Sequence, residues 1–61
     1  MNAIILQSTF EILGIDREYP QDGEVSIASG IATEIEAHAM LAGYADYWRS
    51  MRIVWGGVTA R

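Results

Sequence analysis

Along the chain, apolar residues fall into two patterned stretches separated by a polar one. In the first, Leu6, Phe10 and Leu13 recur at the spacing of a helix face. Asn2 stands where a cap belongs, and Gly14 followed by Ile15 has the form of a helix stop with its hydrophobic contact. This pattern predicts a short helix over about residues 3–13. The same residues admit a strand, because Ile4, Ile5, Thr9, Phe10 and Ile12 favour extended backbone and Val25 and Ile27 can pair with them. Between the stretches, DREYPQDGE at residues 16–24 gathers proline, glycine and charge, the composition of an exposed loop.

The second stretch keeps a period near 3.6 over about residues 26–52, with Asp22, Ser26 and Ser29 available as caps. Ile27, Ile31, Ile35, His38, Leu41, Ala42, Ala45 and Trp48 fall on one broad stripe, and Met40, Tyr44, Tyr47 and Met51 form a second on nearly the opposite side. Glu34 and Glu36 near the start and Arg49 and Arg52 near the end complement the dipole of such a helix. Gly30 and Gly43 weaken it, each by about 1 kcal/mol relative to alanine. One domain over residues 1–61 is therefore expected, all-α, as a helical hairpin that self-associates through its long helix. The alternative is a small α+β fold with strands near 4–13 and 53–58 flanking the helix.

Composition adds to this picture. A chain of 61 residues forms a marginal core, and with no cysteine it has no disulfide to reinforce it. Half of its residues are apolar, more than one short core uses, so a homo-oligomer is expected. The net charge of −4, with four arginines and no lysine, opposes direct nucleic-acid binding. MNAIILQSTF has no basic residue ahead of its short apolar run, and no run reaches membrane-spanning length, so no membrane association and a cytoplasmic location are expected.

Candidate chemistry is sparse. In EIEAHAMLAG, residues 34–43, Glu34 and His38 lie one helical turn apart. A metal site needs three or four ligands, so these two would bind metal only when paired across a helical dimer. The competing reading is a polar contact between them at the core margin. Seven serine and threonine hydroxyls, Ser8, Thr9, Ser26, Ser29, Thr33, Ser50 and Thr59, have no activating base at a telling spacing, so no catalytic residue and no cofactor are expected. Trp48, Arg49, Arg52 and Trp55 cluster near the C-terminus and are residue types common in interface centres.

The sequence is thus read as a non-catalytic protein-interaction module, a small acidic inhibitor or adaptor of the kind phages and mobile elements encode, bound to a larger protein. Tyr44, Tyr47, Met51 and Trp55 would be its apolar anchors, and Asp16, Glu18, Asp22 and Glu24 its steering charges. The rival readings are a structural subunit of a homo-oligomer, the metal-binding dimer through Glu34 and His38, and an acidic mimic of nucleic-acid phosphates.

Overall fold

The computed structural model describes residues 6–60 and the side chains of residues 8–57. Strand β1, Leu6–Ile15, runs into a loop with one 3-10 turn at Pro20–Asp22, and strand β2, Glu24–Ile31, follows. Helix α1, Glu34–Tyr44, then leads to strand β3, Ser50–Ala60. The three strands form one antiparallel sheet in the order β2-β1-β3. The chain is therefore a β-hairpin whose first strand becomes the centre of the sheet when β3 returns along its free side.

This overturns the all-α hairpin. The part of the expected helix 3–13 that the structure describes is strand, and the expected helix 26–52 is a strand, an 11-residue helix and a second strand. The self-associating bundle built on that long helix goes with it. The architecture is instead of the α+β kind kept as the alternative, with Val25 and Ile27 in the strand paired to β1. Residues 3–5 lie outside the described residues.

The reason is visible residue by residue. In β1 a period of two prevails over the helical spacing: Phe10, Ile12 and Gly14 share the face that meets the helix, while Glu11 and Leu13 take the other. Ile12 is paired on both sides, with Ala28 and Ile53, and is completely buried. A helix over these residues would forfeit both ladders. In the second stretch, Gly30 sits at a φ of 68°, a left-handed conformation that no helix interior contains. The helix starts only after it, where the Thr33 hydroxyl accepts the Glu36 amide at 3.1 Å. At the other end the Tyr44 carbonyl accepts from the amides of Tyr47 and Trp48, and this turn releases the chain into the β-branched and aromatic run of β3.

The helix also presents a different face from the one expected. Ala37 is completely buried, and Met40, Leu41 and Tyr44 pack beside it against Ile12 and Ile31. These four positions follow the i, i+3, i+4, i+7 rule. Ile35 is 82% exposed, and His38 and Ala42 face solvent too. The expected stripe took its phase partly from Ile27, Ile31 and Trp48, none of which belongs to the helix. Within residues 34–44 alone, apolar side chains lie all round, and docking onto the sheet selects the side.

Gly14 fits the centre of the sheet for a steric reason. A β-carbon there would stand 2.5 Å from the Ile27 Cδ1 and 3.1 Å from both the Ser50 carbonyl oxygen and the Trp48 ring. Its hydrogen lets β2, β3 and the Trp48 loop close over one point, at the end of the sheet where the chain's loops meet.

Candidate partner-binding surface

Two loops converge at that end. The loop between β1 and β2 begins with Asp16, whose Oδ1 accepts the amides of Glu18 at 2.8 Å and Tyr19 at 3.3 Å, an aspartate-anchored turn that fixes the loop from within. Pro20 opens the 3-10 turn, and Gly23 closes it at a φ of 73°, its amide donating to the Pro20 carbonyl.

The loop between α1 and β3 is tied to the first loop and to the end of β1 by four hydrogen bonds. The Tyr47 hydroxyl donates to both carboxylate oxygens of Asp16, at 3.1 and 3.3 Å. The Arg17 guanidinium donates to the Asp46 carbonyl at 2.9 Å, and the Arg49 amide donates to the Ile15 carbonyl at 3.0 Å. Asp16 is thus the junction of the two loops. Its carboxylate holds the Tyr47 hydroxyl in the protonated form, first by accepting that hydrogen bond and then by opposing a second negative charge, so the phenol titrates above its ordinary value. The Tyr47 ring meets Trp48 edge to face, with centroids 5.5 Å apart.

Five of the eight acids, Asp16, Glu18, Asp22, Glu24 and Asp46, belong to this end, together with exposed Tyr19 (54%) and Tyr47 (43%). Glu24 is turned toward the sheet, where the Arg52 guanidinium donates to it at 2.6 and 2.8 Å. That bidentate bond holds its carboxyl below the usual glutamate range and raises the arginine.

The residues expected to bind a partner are thereby divided. Asp16, Glu18, Asp22 and Tyr47 come together at the loop end, and Glu24 lies at its margin in an ion pair. Tyr44 and Met51 pack half-buried against the core instead of standing out as anchors. Trp55 is exposed but pairs in register with Phe10, well along β3 from the loops. Arg52, from the same C-terminal cluster, pairs with Glu24. The sequence reading passed over Tyr19 and Asp46. An aromatic residue inside an acidic, proline-bearing loop was the available signal for Tyr19, whereas Asp46 joins the surface only because the helix ends early.

Glu34 and His38 lie on exposed turns of α1, and among the hydrogen bonds of the described residues none joins them. The polar contact at the core margin is therefore not formed, since His38 is off the buried face. Among the described residues no three or more histidine, cysteine, aspartate or glutamate side chains gather as a group that could hold a metal ion. No helix among them is long and apolar enough to cross a membrane. No protein-family model matches the chain, and neither does any curated protein or solved structure.

Proposed function

We propose that this protein is a non-catalytic interaction module whose acidic loop end occupies a basic surface on a larger protein. The observation that carries the reading is Asp16, which fixes its own loop and receives Tyr47 from the other, so that Glu18, Tyr19, Asp22 and Asp46 are displayed on a held framework. Preorganised loops lose less entropy on binding, and clustered like charge steers an oppositely charged partner. Exposed tyrosines beside such charges supply contact area with few rotatable bonds. A cytoplasmic setting is part of the same proposal, in keeping with a chain that contains no cysteine.

The test is capture from the native host with immobilised full-length chain, run beside Tyr19→Ala and a Glu18→Gln, Asp22→Asn double variant whose circular dichroism matches the parent. A basic protein retained by the parent, released by added salt and lost from both variants is the expected result. Equal retention by all three chains would remove the loop end from the interface.

A further inference from the structure

The sheet has two outer edges, and they are treated differently. The β2 edge starts at Glu24, is broken by a bulge at Ile27, contains Gly30 at positive φ and turns into the helix. Bulges, end charges and early termination are the devices by which natural edges avoid pairing with other chains. The β3 edge lacks them over residues 50–55, where six consecutive pairings with β1 run from Ser50 to Trp55 without a shift and the first irregularity comes only beyond, at Gly56. This segment, SMRIVW, has no proline, lysine or acid. Its single charge, Arg52, is drawn across the central strand to Glu24, away from the free edge. Trp55 at its end is 62% exposed. Among the described residues no strand pairs with the outer side of this regular stretch, so its alternate backbone N–H and C=O groups have no strand partner and no charge of the segment guards them.

We propose that residues 51–55 pair antiparallel with the same residues of a second copy, joining two three-stranded sheets into one of six strands across a two-fold axis. This inference is independent of the loop end and leaves that end free. Charge limits the way a second copy approaches: two chains of net −4 repel through most of their surfaces, and β3 carries none of the eight acids. A two-fold centred on Ile53 places Arg52 opposite Val54, so the arginines do not face each other, and sets Met51 of one copy opposite Trp55 of the other, a sulfur–aromatic pair. The assembly closes at two because the remaining edges, both β2, are the guarded ones. It also supplies what a core of Ile12, Ile31 and Ala37 lacks in extent.

The test is sedimentation equilibrium of the full chain over a concentration series, with amide hydrogen exchange read residue by residue along β3. The expected result is a reversible dimer of the 6.7 kDa chain, with protection of alternate amides in residues 51–55 rising with concentration. Trp55→Lys, at an exposed position, should weaken dimerisation about tenfold or more with unchanged circular dichroism. Val54→Lys provides a second charge on the strand should the first variant fail to fold. A monomer at every soluble concentration with freely exchanging alternate amides overturns the proposal. So does a dimer whose edge amides remain unprotected and whose affinity neither lysine changes.

Discussion

On one face of the sheet Ile12 lies wholly buried beneath α1, with Ala37 and Ile31 in the same cluster; on the other, its neighbour Leu13 is half-buried and no helix of the described residues lies above it. The uncovered face is crossed by polar pairs, with Arg52 reaching over β1 to Glu24 and the Ser26 hydroxyl donating to Glu11 at 2.8 Å. The first face is held by removing apolar area from water, the second by charges and hydroxyls that remain in water and were already well solvated in the unfolded chain. Adjacent residues of one strand thus contribute through different forces, and perturbing each face separates them.

The largest effect belongs to the covered face. Ile12→Ala should cost about 2–5 kcal/mol, read from denaturant melts, because the cavity opens at the centre of the sheet where strands on both sides prevent collapse. An effect under about 1 kcal/mol would mean that the helix does not close over this face. Gly14→Ala should come next, at about 1–3 kcal/mol, since the Ile27 methyl can yield but the Ser50 carbonyl and the Trp48 ring hold their places.

The uncovered face should respond to pH and salt more than to deletion. Glu24 titrates below its ordinary value in the folded chain, so the stability its pair adds is present above the unfolded glutamate pKa and is lost as pH falls from there through the depressed one. Acid melts of Arg52→Gln should lack this component, and added salt should shrink it in the parent. Identical acid profiles for the two chains would show that the ion pair contributes nothing. The smallest change is expected from Ser26→Ala, within about 0.5 kcal/mol, because its bond to Glu11 is exposed and water replaces it. A larger loss there would mean that the uncovered face is drier than its exposure implies.

The acidic loop was legible from DREYPQDGE, since proline, glycine and clustered charge leave little else for residues 16–24 to become. The helix was legible only in its middle. Residues 34–44 are helical as expected, but both ends were extended too far because Ile27, Ile31, Trp48 and Met51 fall on helical spacing by coincidence. Strand residues spaced by two and helix residues spaced by three or four overlap over a few turns, so short apolar runs do not announce their period. The proposed binding surface was half legible: Asp16, Glu18 and Asp22 lie near one another in sequence, whereas Tyr47 reaches Asp16 across 31 positions.

By itself the sequence determined the chemistry available to this protein: one short acidic chain without cysteine, a polar loop between apolar stretches, glycines at positions 23 and 30, and a capped helix after Thr33. These are local properties, set by composition, by allowed φ and ψ, and by hydrogen bonds a few residues long. Tertiary structure decided which periodicity prevailed in residues 6–15, which side of α1 faced inward, which sheet edge lay open, and that Asp16 and Tyr47 should meet. Each of these turns on pairing between distant segments: a ladder hydrogen bond or a buried face gains free energy only once its partner is in place, and no window along the chain contains both.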